Sequence, residues 1–494
     1  MRRREFFHIR KFARRYDRRT GKFVISIAYE TATEVTPRTI AVAEAFGLGI
    51  DEKRKFVVYD DVELKIGSRD VVYITGDSGS GKSVLLKAIR KDLGREAVDM
   101  VHIRVDRNKP LIETVGETVG EGLELLSRVG LNDAFLFLRK YDELSDGQRY
   151  RYRIAKLVES GKQWWIMDEF CSTLDRDTAK IVAFNVQKLA RKLGKAVVAA
   201  TTHTDLFEDL RPSVHVHKRF GKEIQVKYLP DNCFDHWREF ACSLLKEMQV
   251  EEGSYEDWKK VAGFHYRSHR IAFMQKIFVL KRKDRVCGAI AYVHPMSAAP
   301  CRERVLKIES MRELNEKVTR VARVVVHPKY RTIGAGVKLV HDSLPLCGKP
   351  YVEMIAVMAR YNPFAEHAGM NKICESKPSK TILEAVAKLE KLGFTPYLLA
   401  VMECNRRMLK GRVQQVKDIL GSFSYPYNRR IAGQHGHFTM EDYRKWLKKA
   451  ETKDLAQALT RLAQLNQSKV YLFWKRSLVK LINRARANLK RVRN

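Results

Sequence analysis

The octapeptide GDSGSGKS, Gly76–Ser83, fits the spacing GxxxxGK[ST]. Gly76, Gly79 and Gly81, with Ser78 and Ser80 between them, let backbone N–H groups curl around phosphate oxygens. A helix beginning at the same point adds the positive end of its dipole. Lys82 is spaced to reach β- and γ-phosphates, and Ser83 to ligate Mg²⁺. A second stretch, QWWIMDEF, is an apolar run that ends in Asp168 and Glu169. A carboxylate at a strand tip can hold Mg²⁺, and a second beside it can orient an attacking water. Together these residues point to phosphoryl transfer to water.

The elements that must position them are legible around them. DVVYITG is a short β-branched run ending in glycine, and KSVLLKAIRKDL has helical periodicity. Between the two motifs stands LSDGQ, Leu144–Gln148, and after them come STLD, Ser172–Asp175, and ATTHTD with His203. This order resembles the ATP-binding-cassette (ABC) ATPases over about residues 51–220. The resemblance implies ATP and Mg²⁺ as ligands, with Ser83 and Asp168 at the metal, Glu169 as catalytic carboxylate and His203 at the γ-phosphate. It also implies that Ser145, Gly147 and Gln148 meet ATP held by another protomer, with Asp175 in the D-loop across that interface. One phosphate loop and one signature per chain imply a homodimer with two ATP between the copies. Two positions stay open. The Q-loop glutamine is replaced by Asp106 or Asn108, and the aromatic that stacks on adenine is Phe56 or Tyr59.

ARVVVHPKYRTIGAGVKLV, Ala322–Val340, is a strand, a basic glycine-containing turn and a helix. Small residues at a helix N-terminus expose N–H groups to a pyrophosphate. Arg331, Gly334, Ala335 and Gly336 fit the R/Q-x-x-G-x-G/A pattern, and YVEMIAVMARYNPFAEHAGM follows at a fitting distance. This region resembles the GNAT acyltransferases, which implies acetyl-CoA or another acyl-CoA. Glu353 and Tyr361 are the candidate base and acid, with Glu366 and His367 in the same region. His265, Tyr266 and His327 are weaker candidates. The whole chain resembles a family of ABC-type ATPases fused to a GNAT domain, over most of residues 1–410. Two histidines in GQHGHF do not make a full ligand set, so no further metal site is expected.

Composition bounds the rest. The 494 residues predict two to four domains, and 45% hydrophobic residues supply sizeable cores. A net charge of +35, with eight Lys/Arg and no acid in residues 475–494, predicts a polyanionic partner, nucleic acid first. No run reaches the 18 apolar residues of a membrane span, and the basic start has no apolar h-region. Cys171, Cys233, Cys242, Cys287, Cys301, Cys347, Cys374 and Cys404 form no CxxC pair and are read as reduced thiols of a cytoplasmic protein. The expected fold is α/β multidomain. Residues 1–50 form a basic extension, 51–235 the ABC-type domain, 236–410 a GNAT-like α+β domain, and 411–494 a helical basic C-terminal region. The expected function is an ATPase coupled to N-acyl transfer on nucleic acid. An ATP-dependent nucleic-acid or ribosome remodelling factor with a non-catalytic GNAT domain, and a protein N-acetyltransferase, stay open.

Overall fold

A computed structural model describes residues 7–31, 35–49, 55–131, 133–229, 241–265, 271, 274–357, 359, 362–434 and 436–476. The chain divides into two compact units. One comprises Met1–Ile271, Lys276–Ile290 and Val324–Ser343; the other comprises Ala272–Gln275, Ala291–Arg323 and Leu344–Asn494.

The first unit opens with strands β1 (Phe7–Asp17), β2 (Lys22–Thr31) and β3 (Lys55–Lys65), an antiparallel sheet in that order. β2 alternates Phe23, Ile25 and Ile27 into the core, where they meet Leu85, Leu86 and Ile89 of the helix Lys82–Leu93. The boundary expected after residue 50 is therefore corrected. The basic residues of β1 gave the segment the look of an appended arm, but β2 is a core strand of this unit.

A six-stranded sheet follows: β4 (Val71–Gly76), β5 (Ala97–Asp99), β6 (Trp164–Met167), β7 (Ala196–Ala200), β8 (Val214–Lys218) and β9 (Ile224–Tyr228). Its order is β5-β6-β7-β4-β8-β9, parallel except for β9. β4 is buried at every residue because both faces are covered, which is why it reads as an unbroken apolar run. Val72 and Ile74 face the core of the helix Lys82–Leu93, while Val71 and Tyr73 face the helices Asp146–Glu159 and Arg176–Leu193. The unit also contains β10 (Met248–Glu252), antiparallel to β11 (Met274–Arg282), and β12 (Arg285–Val293) after the expected turn at Lys283-Asp284.

β13 (Val318–Val326) lies in the second unit up to Arg323; there it pairs in parallel with β14 (Tyr351–Ala356) over only four residues each, Val318–Val321 with Tyr351–Met354. β15 (Asn371–Ser376) and β16 (Lys469–Lys475) complete this part, with β16 antiparallel to both β14 and β15 and lying between them. Between β15 and β16 the chain builds a helical core, in which Ile382, Leu389, Leu409, Leu420, Tyr443 and Leu459 are buried together. The boundary expected at 410/411 is corrected too. Helices begin at Lys380, and the C-terminal region returns to the sheet because KVYLFWK alternates as a strand. The most basic part of the tail, 477–494, lies outside the described residues.

Cys301 and Cys374 form a disulfide, which corrects the reading of all eight cysteines as thiols. They are 73 residues apart, so no local spacing announces them, but folding brings their Cα atoms to 6.5 Å. Cys171, Cys242, Cys287, Cys347 and Cys404 carry reduced thiols, and Cys233 lies outside the described residues.

Candidate functional site

The loop between β4 and the helix Lys82–Leu93 has the conformation that its glycines allow. Gly76, Gly79 and Gly81 have φ of 142°, 78° and 105°. A Cβ on Gly76 would stand 2.0 Å from the Lys218 carbonyl oxygen, and one on Gly81 would stand 2.5 Å from Val58 Cγ1. Only glycine fits either position. Lys82 Nζ donates to the carbonyls of Gly76 (2.7 Å) and Asp77 (2.6 Å). Burial pulls its pKa below the ordinary lysine value, against the opposing charges of Asp77 and Asp168. Ser80 Oγ is buried without a hydrogen-bond partner among the described residues. Ser78 and Gly79 are exposed at the crest, and Ser83 is half-buried in the first helical turn. An unspent buried hydroxyl, a lysine and a helix N-terminus in one cradle fit a phosphate chain.

The sheet brings two further strand ends to the same edge, since β7 lies between β4 and β6 and all three run parallel. Asp168, half-buried, and Glu169, exposed, leave β6. Asp168 Oδ1 accepts from the Glu169 N–H at 3.0 Å. Glu169 and Cys171 have φ of 47° and 57°, uncommon for non-glycine residues and typical of places where a side chain is aimed for function. Neighbours hold this turn: Phe170 N–H donates to the Ala200 carbonyl at 2.7 Å, and Cys171 N–H to Tyr150 Oη at 3.2 Å. His203 follows β7. Its N–H donates to Thr201 Oγ1 at 3.3 Å, and the buried Tyr73 hydroxyl donates to its carbonyl. The residues named for phosphate, metal, water and γ-phosphate thus sit at the C-terminal ends of adjacent strands.

The signature residues lie on another element. Ser145 is exposed at the N-cap of the helix Asp146–Glu159, and its N–H donates to Gln148 Oε1 at 3.0 Å. A Cβ on Gly147 would meet Thr178 Cγ2 at 3.5 Å, so signature and D-loop helix are in contact. Asp175 caps that second helix, Oδ1 accepting from Thr178 N–H at 3.2 Å. Of the two adenine candidates, Tyr59 is buried with its hydroxyl on the Gly81 carbonyl at 3.0 Å, whereas Phe56 is 49% exposed. Asp106 and Asn108 are both exposed, and Asp106 Oδ1 accepts from Asn108 N–H at 2.8 Å.

In the second glycine loop, Arg331 Nε donates to the Val326 carbonyl at 3.0 Å and Nη2 to the Phe264 carbonyl at 3.3 Å, while Nη1 lies 3.8 Å from Asp133 Oδ2. Its guanidinium serves protein groups here, as the Lys82 ammonium does at the first loop. Gly334 has φ of 95°, and Ala335 and Gly336 open the helix Ala335–Ser343. His327 Nδ1 accepts from Lys329 N–H at 3.2 Å and packs edge-on against Phe264. Burial, with Arg331 and Lys329 adding to it, holds its pKa below 6.5. His265 is half-buried.

Glu353 is fully buried in the second unit. Arg302 donates to it through Nε (3.0 Å) and Nη2 (2.8 Å), and the Tyr471 hydroxyl donates at 3.2 Å. A carboxylate closed to solvent and held by a guanidinium cannot take a proton from an incoming amine. The reading of Glu353 as a base is corrected to a buried ion pair. Alternation on β14 could not separate those cases, because the partner Arg302 is remote in sequence. Tyr361 and Tyr266 lie outside the described residues. Sequence reasoning also passed over Lys329 and Arg282, whose partners Asp175 and Asp177 are more than a hundred residues away.

No family model matches the chain. Part of it is similar to curated ATP-binding proteins. It is 27% identical over 197 residues to methionine import ATP-binding protein MetN 1 of Oceanobacillus iheyensis, covering 32% of this chain and 57% of the relative. It is 27% identical over 227 residues to MetN of Rhizobium etli, covering 38% and 62%. It is 29% identical over 167 residues to the cytochrome c biogenesis ATP-binding export protein CcmA of Gluconobacter oxydans, covering 30% and 76%. The chain thus spans about three fifths of the length of the MetN relatives. Among solved structures, a dimeric ATP-binding cassette bound to ADP and Pi has 19% identity and a TM-score of 0.30, covering 36% of this chain and 93% of that one. The curated similarity supports an ABC-type ATPase cassette in this chain. Among the described residues, no helix is long and apolar enough to cross a membrane.

Proposed function

We propose that the first unit hydrolyses ATP at a composite site formed by two copies of the chain. The observation that carries this reading is the convergence of Gly76–Ser83, Asp168, Glu169 and His203 on adjacent strand ends, with the Ser80 hydroxyl unspent. Ser83 and Asp168 would hold Mg²⁺, which would supply charge neutralisation for the phosphate chain. Lys82 and the loop N–H groups bind and orient the phosphate chain, Glu169 orients water, and His203 completes the polar wall. Ser145 at its helix N-terminus, with Gly147 and Gln148, closes the partner copy's site.

The test is Glu169→Gln. Hydrolysis is expected to fall about 100-fold or more, while ATP-dependent dimers persist and are seen by light scattering. A variant that stays monomeric with saturating ATP removes the composite site.

A second reading concerns what the ATPase drives. Within the second unit, a short parallel pair and a last strand inserted between two earlier ones support a GNAT-like acyltransferase domain. With a net charge of +35, nucleic acid is the favoured acceptor. With Glu353 excluded, the base of acyl transfer is unassigned, and Tyr361 stays the candidate acid. Acyl-CoA turnover with DNA, RNA or protein as acceptor separates a modifying enzyme from a remodelling factor with an inactive domain. The names of the MetN and CcmA relatives raise transport as an alternative use of the same cassette, which would need a separate membrane partner.

A further inference from the structure

Asp175 and Asp177 stand at the start of the helix Arg176–Leu193, where the helix dipole already favours negative charge. Both also have cationic partners from much later in the chain, within the same unit. Lys329 Nζ donates to Asp175 Oδ1 at 2.6 Å and lies 3.4 Å from Asp177 Oδ2. Arg282 Nη1 donates to Asp177 Oδ2 at 2.8 Å, with its Nε on Glu247 Oε2 at 2.7 Å. The neighbouring backbone is fixed as well. Arg151, 6% exposed on the signature helix, donates to the carbonyls of Pro328 (3.5 Å), Lys329 (3.3 Å) and Gly130 (3.3 Å). Asn185 Nδ2 donates to Thr332 Oγ1 at 2.5 Å. The segment Val326–Thr332 is thus seated on both helices that carry Ser145 and Asp175.

Geometry limits what Lys329 can do there. Asp175 Oδ1 receives both the Thr178 N–H and the Lys329 ammonium. Two donors on one oxygen fix the carboxylate plane and the turn Ser172–Asp175 that leads into it. Side-chain exposure is 27% for Lys329 and 58% for Asp175, so the ammonium is sheltered while water reaches the carboxylate. Burial lowers the Lys329 pKa, but Asp175 outweighs that and the net shift is upward, so the ammonium is charged at neutral pH.

We propose that Lys329 is a positioning residue for the ATPase: by holding Asp175 it sets the D-loop, and it ties the segment Val326–Thr332 to the cassette. Lys329 touches neither nucleotide nor water in this scheme and acts through Asp175. Its effect on hydrolysis rests on the ATPase reading above; its effect on the D-loop does not.

The experiment compares Lys329→Met, Lys329→Arg and Arg282→Met in the full chain. Hydrogen exchange at the amides of Ser172–Thr178 is the first readout and needs no hydrolysis. Lys329→Met is expected to speed that exchange about threefold, the scale of about 0.7 kcal/mol lost from an exposed ion pair, and Lys329→Arg to restore it. Steady-state kinetics is the second readout. Lys329→Met is expected to lower kcat about tenfold with KM for ATP within about twofold, the pattern of a misplaced group rather than lost ground-state binding. Arg282→Met, which removes the neighbouring pair without touching Asp175, is expected to change kcat less than about threefold. Unaltered D-loop exchange in Lys329→Met overturns the proposal, as does an equal kcat loss in Arg282→Met, which would mark general packing. A wild-type chain without ATPase activity overturns the ATPase reading instead, and the exchange result still decides the role of Lys329 at the D-loop.

Discussion

Two glycine loops in this chain precede helices, and both look like phosphate cradles in the sequence. In the first, Gly76–Ser83, three glycines take positive φ, and the Ser80 hydroxyl has no partner among the described residues. In the second, Arg331–Gly336, the arginine bonds two carbonyls and faces Asp133, and Thr332 accepts from Asn185. A loop binds a ligand with the donors it has left over. The charged side chains of both loops bond two carbonyls, but the first loop also holds an unspent buried hydroxyl, while the arginine of the second faces an acid of the protein. The two loops therefore break in different ways when substituted.

The largest difference is expected at Lys82. Lys82→Ala should weaken ATP binding roughly 100-fold, from loss of a charged hydrogen-bond donor worth about 2–3 kcal/mol, and should also lower the urea midpoint, because the Gly76 and Asp77 carbonyls lose their donor. Equilibrium titration with a fluorescent ATP analogue, beside chemical denaturation, measures both. Arg331→Gln should act on stability alone. One part-buried and one exposed carbonyl lose their donor, so stability should fall by about 1 kcal/mol, while ATP affinity moves less than about threefold. An Arg331→Gln chain with wild-type stability and no acyl-CoA binding would overturn this contrast and favour the phosphate role.

The smallest effect sharpens the comparison through pH. His215, whose Nε2 lies 2.9 Å from Thr75 Oγ1 just before the first loop, and His327, just before the second, both have pKa values lowered chiefly by burial. Positive neighbours, His217 and Lys227 for one and Arg331 and Lys329 for the other, add to the shift. The unfolded chain binds these protons more readily, near pH 6.5, than the folded one. Their contribution to stability is therefore complete above that value and declines as pH falls through 6.5 toward the lower folded pKa. Denaturation midpoints from pH 5 to 8 should slope downward on the acid side, and Asn at both positions should flatten the slope. An unchanged slope would mean that other groups set the acid limit.

Much of the first unit was legible because its signals are local. β4, the helix Lys82–Leu93 and the strand that leads into Asp168 each announce themselves in a dozen residues or fewer. What escaped depends on partners remote in sequence. Glu353 looked like a free carboxylate on a strand because Arg302 and Tyr471 are 51 and 118 residues away. Cys301 looked solitary for the same reason. The role of β2 was hidden by the basic residues of the strand beside it. Tyr59 and Phe56 were equivalent in the text, and only folding shows which ring is covered.

The insertion of β16 between β14 and β15 has a consequence for biosynthesis. Ile355 pairs with Tyr471, and Cys374 also pairs with Tyr471. During translation, β14 and β15 emerge with an open lane between them, and it stays open while the helical segment is made. At ordinary synthesis rates of about 5–20 residues per second, the gap of roughly a hundred residues leaves two unpaired strand edges exposed for about 5–20 s. Nascent chains halted within the helical segment should therefore recruit holdase chaperones, and release past Lys475 should end that dependence.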